Sequence, residues 1–160
     1  MPDPDAVRRR FEAGGLLLDG AMGSLLIAKG LASGCAPEEW NLSRPDTIRE
    51  IHRAYLDAGA MVITTNTFGA TPSCLERHGL HEQAASLNAA ALSLARDAVS
   101  GHCAAGAGGA QPLVAQSIGP CGNLLPPVGN ATEAEMAGAF AAQLSAAGSA
   151  QPPDQESRVG

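Results

Sequence analysis

The sequence predicts an α/β fold of three parallel strand–helix units, and three observations carry that prediction. The short, unbroken apolar runs Leu16-Leu17-Leu18, Met61-Val62-Ile63-Thr64-Thr65 and Leu113-Val114-Ala115-Gln116-Ser117 read as strands covered on both faces, as in a parallel sheet. Each run ends in a polar segment that carries glycine, and stretches with helical apolar spacing lie between the runs. The strand starts at Leu16, Met61 and Leu113 are 45 and 52 residues apart, the spacing of βαβ units with their preferred right-handed crossover. The 160 residues suffice for one domain or part of one. Three such units fit either a small open sheet or the opening of a larger closed barrel, which needs about 250 residues when complete.

Taken in order, residues 5–13 form a short polar helix ended by Gly14 and Gly15. After the first strand, residues 21–29 have helical apolar spacing at Met22, Leu25 and Leu26, and Gly30 stops them. Residues 31–42 read as a loop containing Cys35 and Trp40. A stronger helix at 45–58 places Ile48, Ile51, Tyr55 and Leu56 on one face, with Ser43 and Asp46 at capping-box spacing. Residues 83–99 repeat Ala84, Leu87, Ala91, Leu94 and Ala98 at helical intervals and should cover one side of the sheet. The glycine-rich stretch that follows reads as a mobile loop. Thr132 and Glu135 form a second capping box, before a helix whose predicted buried stripe is Met136, Phe140, Leu144 and Ala147. Residues 149–160 show no periodicity and are expected to be a disordered tail to a folded portion at 1–148.

Composition narrows the function classes. The apolar 45% leans on 31 alanines and includes only five aromatic residues, so the core is expected to be thin. Net charge is −6 and Lys29 is the only lysine, which leaves no basic stripe for nucleic acid. Arg8, Arg9 and Arg10 are flanked by Asp3, Asp5 and Glu12 and read as the solvated face of a helix, not as a transit peptide or membrane patch. No apolar stretch approaches the roughly 20 residues of a membrane span, and no signal-peptide core is visible, so a soluble, cytoplasmic protein is expected. Cys35, Cys74, Cys103 and Cys121 are 39, 29 and 18 residues apart, which fits neither a disulfide framework nor a local zinc knuckle. His78 and His81 are separated by Gly79 and read as solvated loop. His102 and Cys103 are sequence neighbours whose side chains diverge, a poor arrangement for a nucleophile and its base.

Ligands of parallel α/β folds gather at the carboxyl ends of the strands. Here those ends are Asp19-Gly20-Ala21-Met22-Gly23, Thr65-Asn66-Thr67-Phe68-Gly69 and Ser117-Ile118-Gly119-Pro120-Cys121-Gly122. Glycine allows a ligand to approach the backbone closely, Asp19 suits an ammonium group, and the start of the helix after Gly20 suits a carboxylate. Together they resemble a site for an amino acid, although each segment is also ordinary turn chemistry.

Asp19-Gly20-Ala21-Met22-Gly23-Ser24, the stretch from Arg44-Pro45-Asp46 through His52 to Ala58-Gly59-Ala60, and Thr64-Thr65-Asn66-Thr67-Phe68-Gly69-Ala70 resemble the homocysteine S-methyltransferase family. Ser117-Ile118-Gly119-Pro120-Cys121-Gly122 and Leu125-Pro126-Pro127 continue the match, so that the resemblance covers about residues 14–148. Within the family it is nearest to the homocysteine-binding module of cobalamin-dependent methionine synthase, and next to betaine–homocysteine methyltransferase. It implies a zinc-dependent (β/α)8 TIM barrel that binds homocysteine at its strand ends. Three cysteines hold the zinc, which takes the substrate sulfur and makes it a nucleophile for methyl transfer. Asp19 and the backbone of Gly20 and Ala21 match the part that holds the amino-acid end. Thr67 and Phe68 match the contribution of the second strand, and Asn66, Ser117 and Gly119 match positions that line the pocket.

The departures from the family pattern carry equal weight. The family's zinc cysteines lie in a Gly-x-Asn-Cys type motif and a Gly-Gly-Cys-Cys type motif on later strands, and neither occurs here. The four cysteines of this chain stand at other positions, so no metal ligand and no catalytic residue is assigned. The acidic residue after the fourth strand is also missing, and the resemblance lapses at Ala147-Gly148. The expectation is therefore the first three βα units of such a barrel, from a truncated frame, a frameshifted gene or a split protein, inactive alone. Its open sheet edge would favour self-association or a second chain that completes the barrel. For the methyl donor, the Asp-Gly-Ala-Met-Gly and Ile-Gly-Pro-x-Gly segments point to a corrinoid carrier, whereas Trp40 after Pro37-Glu38-Glu39 is reminiscent of the betaine type, as a cation–π face or else as a loop anchor.

Overall fold

The computed structural model describes residues 3–106 and 110–148; the expected tail at 149–160 lies outside them. Two strands, β1 (Val62–Thr64) and β2 (Leu113–Ala115), pair in parallel, with Val62, Ile63 and Thr64 opposite Leu113, Val114 and Ala115. The first apolar run is not a full strand. It joins β1 through a parallel bridge of Leu18 with Val62, while Leu17 O accepts from Met61 N and Val62 N at 2.8 and 3.1 Å. The spatial order is thus segment 16–18, β1, β2, with β1 in the centre. Leu17 and Leu18 are 58% and 56% exposed, against the expectation of a strand covered on both faces. Among the described residues segment 16–18 has a strand neighbour only on its β1 side, whereas β1 has one on each.

Helices α1 (Pro4–Glu12), α2 (Met22–Ala28) and α4 (Pro45–Asp57) fall where periodicity places them. Segment 31–42 is more ordered than a loop, holding a 3-10 turn at Pro37–Glu39 and the short helix α3 (Trp40–Ser43). The Ser43–Asp46 capping box does not form: Arg44 is the N-cap of α4, and the Ser43 hydroxyl donates instead to Glu39 O. Arg8 and Arg9 pair with Glu12 and Asp3 on the surface, but Arg10 leaves that solvated face to donate to Gln111 O at 3.0 Å.

The short helix α5 (Pro72–Glu76) follows β1, capped by Thr71, and a 3-10 turn at His81–Gln83 leads into α6 (Ala84–Ala104). All five residues of the predicted α6 stripe are buried. The helix continues past residue 99 because Cys103 still packs on the cluster of Leu56, Ala60, Ile63, Ala95, Ala98 and Val99, so His102 and Cys103 are helical; residues 107–109 of the expected mobile loop lie outside the described residues. His102 Nδ1 lies 3.2 Å from Asp57 on α4. The small side chains Ala95 and Ala98, each at 0% exposure, pack with Leu56 of α4 and Ile63 of β1, and Ala91 is buried as completely.

Trp40 is the anchor of the segment before α4. It is buried with Leu26, Leu31, Ile48, Ile51 and Leu94, and the Arg44 guanidinium sits 4.5 Å from its ring centroid. The last helix, α7 (Glu133–Gly148), begins with the predicted capping box: Thr132 Oγ1 accepts from Glu135 N, and Glu135 Oε2 accepts from Thr132 N and Oγ1. Those bonds, the backbone one foremost, hold the Glu135 carboxyl below its ordinary value. Its inward face differs from the prediction. Leu144 is half exposed and Met136 and Phe140 are only half-buried, while Gln143 and Ala146 turn inward; the side chain of Ala147 lies outside the described residues.

Candidate functional site at the strand ends

Each strand tip is fixed by bonds to its neighbour, and this sets the shape between them. Asp19 Oδ2 accepts from Thr64 N at 2.9 Å and Oδ1 from Thr64 Oγ1 at 2.8 Å, tying the first tip to β1. Thr65 and Thr67 hydroxyls are 2.6 Å apart. Thr67 Oγ1 donates to Ser117 O at 2.7 Å, and Thr65 Oγ1 accepts from Ser117 N at 3.1 Å. Gly119 N donates to Phe68 O at 3.0 Å, closing the link from the second tip to the third. Beneath them Asn66 Nδ2 donates to Pro37 O and Asn41 Oδ1, and Asn41 Nδ2 donates to Asn66 O and Leu87 O. These amides bridge β1, the 3-10 turn, α3 and α6 in a buried network with its donors satisfied. From α7, Gln143 Nε2 donates to Thr67 O at 2.7 Å.

The three tips surround a cleft of about 740 Å³. Of the residues that the sequence offered, Gly20, Ala21, Asn66, Thr67, Phe68 and Ser117 line it; Asp19 and Gly119 stand behind the wall, holding tips together. Gly20 is required by a close approach: a Cβ there would lie 2.8 Å from the hydroxyl of Tyr55, which itself donates to Ala21 O. Pro37 and Glu38 form another part of the wall, and Cys74, Arg77 and His78 flank it on and just after α5. Trp40 is not on this surface. A cleft of polar tips, hydroxyls and backbone groups with one acid and one guanidinium in its wall has the chemistry to hold a small zwitterion.

The profile of the homocysteine S-methyltransferase family matches residues 16–154, most of the chain. The chain belongs to the homocysteine S-methyltransferase family. It is 38% identical over 113 residues to homocysteine S-methyltransferase of Escherichia coli (strain K12), covering 69% of this chain and 36% of that relative. It is also 38% identical over 85 residues to methionine synthase of Mycobacterium tuberculosis, covering 49% of this chain and 7% of that one. Among solved structures, the homocysteine methyltransferase MmuM of Escherichia coli in its metallated form superposes with a TM-score of 0.77 at 28% identity, over 90% of this chain and 54% of that chain. Its apo form gives 0.61 at 29%, over 84% and 45%. This family member thus spans about a third of the first relative and about half of the metallated enzyme chain.

The metal that the family resemblance implies does not fit the residues here. Among the described residues no group of three or more His, Cys, Asp or Glu is placed to hold an ion, and Cys35, Cys74, Cys103 and Cys121 are free and dispersed between surface and core. His78 and His81 bring no further ligands together. Among the described residues no helix is long and apolar enough to cross a membrane. Sequence reasoning passed over Glu38, Asn41, Arg77 and Gln143. For Arg77 a signal existed: Thr71 followed by Pro72 is an N-cap before a first-turn proline, which marks the start of α5. Gln143 sits mid-helix in an alanine-rich run, where nothing in the pattern marks it as buried.

Proposed function

We propose that this chain forms the opening part of a homocysteine S-methyltransferase barrel and supplies one wall of its homocysteine cleft, without the metal centre. The observation that carries this reading is the convergence of all three polar strand tips on one cleft in a chain of this family. Gly20 and Ala21, with Asp19 behind them, form the end of the cleft for the amino-acid head. Asn66, Thr67, Phe68 and Ser117 supply the facing wall, and Gly119 keeps the second and third tips together. Zinc held elsewhere would make the thiol a nucleophile. The chain's own part is to bind and orient, so by itself it transfers no methyl group. Purified chain given homocysteine, zinc and either methylcobalamin or betaine should form no methionine and retain no stoichiometric zinc. Turnover, or tight one-to-one zinc, would overturn the reading.

A second reading is favoured by the sheet edge and exposed apolar side chains: this chain as a non-catalytic or split subunit that associates through that edge. Leu17 and Leu18 lie at the edge, and Leu124 and Val128 are 58% and 78% exposed. Sedimentation velocity separates the two. The associating chain sediments as a concentration-dependent dimer or larger, and Leu18→Lys returns it to monomer. A wild-type monomer at all concentrations excludes self-association.

A further inference from the structure

Helix α7 meets the strand tips through a polar side chain. Of its described side chains only Gln143 and Ala146 are buried, and among the described residues no apolar core cluster includes a residue of α7. Gln143 is 1% exposed. Its Nε2 donates to Thr67 O at 2.7 Å and to Ser117 O at 3.4 Å, so a single amide spans the second and third tips. Its backbone is caught as well: Gln116 Nε2 donates to Gln143 O and to Asn88 Oδ1, both at 3.3 Å, and Asn88 Nδ2 donates to Ala70 O at 2.8 Å. One hydrogen-bond chain thus joins α6, α7 and both tips. Gln143 Oε1, by contrast, is buried with no hydrogen-bond partner among the described residues, a cost that an apolar side chain would avoid. The orphaned acceptor argues that the amide is kept for its donor. That donor goes to the carbonyls of Thr67 and Ser117, which line the cleft, whereas no described residue of α7 does.

We infer that Gln143 is a positioning residue: it braces the Thr67 and Ser117 wall in its binding shape and so couples the docking of α7 to occupancy of the cleft. The coupling rests on the homocysteine reading above, and the experiment separates the two. Linkage makes it reciprocal. If docked α7 raises the affinity of the cleft for homocysteine, homocysteine stabilises the docking of α7 by the same factor, although the ligand never touches the helix.

Hydrogen exchange read by mass spectrometry on the full chain tests this, with L-homocysteine as the probe and calorimetry for affinity. In wild type, saturating homocysteine should slow exchange of the α7 amides by about tenfold. Gln143→Leu removes both the donor and the orphaned acceptor. The folded variant should bind homocysteine about tenfold more weakly, and its α7 amides should exchange equally fast with and without ligand. The amides of Ser117 and Gly119, which donate to Thr65 Oγ1 and Phe68 O across the tips, should exchange faster in this variant even without ligand. A merely structural Gln143 would lower the urea midpoint and leave the affinity and the ligand dependence of α7 exchange as in wild type; that result overturns the assignment. So does wild-type α7 exchange that ignores bound homocysteine, which decides the matter even where Gln143→Leu fails to fold. Wild-type chain that binds no homocysteine removes the homocysteine reading and the coupling with it, while faster exchange of Ser117 and Gly119 in Gln143→Leu still marks Gln143 as the brace of the tips.

Discussion

Acidification from about pH 7.5 to about pH 4.5 is expected to remove about 2.5 kcal/mol of folding stability through His52 alone. His52 lies on α4 at 0% exposure, and neither ring nitrogen has a hydrogen-bond partner among the described residues. Burial pushes its pKa down from 6.5 to about 4, because the imidazolium would have to be held away from water. The unfolded chain takes up a proton as the pH falls through its ordinary value near 6.5, while the folded chain does not until about 4. The stabilisation is therefore complete above the first pH, drains away through the interval, and levels off below the second. His52→Leu removes both the titration and two unpaired nitrogens, so it should leave the chain as stable or more stable at neutral pH and flatten its acid limb. Urea midpoints measured across this range decide it, with the carboxyl groups common to both chains cancelling in the comparison. Wild type and variant falling in parallel would mean that His52 charges inside the fold without cost.

The same helix shows what the sequence could and could not disclose. The stripe Ile48, Ile51, Tyr55 and Leu56 follows from spacing alone, since a 3.6-residue repeat has one way to bury those side chains. That His52 is buried beside them does not follow, because a polar residue next to an apolar stripe reads as its boundary. Likewise β1 is legible as an unbroken apolar run, but the difference between β1 and segment 16–18 depends on how many neighbours each has in space. The cleft was visible as three polar glycine-bearing tips, because the alternation of strand and helix puts all strand ends on one side. Its opposite wall was not. Glu38 reaches Gly69 across 31 residues and Gln143 reaches Thr67 across 76, and no local pattern encodes contacts of that separation. Alanine-rich α7 misled for a related reason: with so many small side chains, several faces are equally plausible for burial, and hydrogen bonds from Gln143 to the tips select one of them. Asp19 inverts the pattern. The sequence exposes it as a ligand partner, and the fold uses both its oxygens to fasten the first tip to Thr64.

Gly119→Ala should cost about 2–4 kcal/mol and abolish binding of homocysteine at the cleft. The backbone of Gly119 lies against Phe68, with its N–H on Phe68 O at 3.0 Å. A Cβ at this position would lie 2.5 Å from that carbonyl oxygen and 2.8 Å from two ring carbons. Real side chains do not approach so closely, so something must move. The ring is 62% exposed and has room to swing away, but the carbonyl is backbone and can shift only with the whole 65–69 tip. That tip carries Thr67, whose hydroxyl holds Ser117 O, and Asn66, whose amide anchors the floor at Pro37 and Asn41, so the displacement strains a network in which every bond depends on its neighbours. The two clashes are separable. If the ring were the obstacle, Phe68→Ala would rescue Gly119→Ala; because the carbonyl is the obstacle, the double variant should remain as unstable as the single one, in urea melts as in homocysteine titrations. Rescue by Phe68→Ala would show that the second and third tips are joined through a side chain, and the cleft would then tolerate movement that a backbone-to-backbone link forbids.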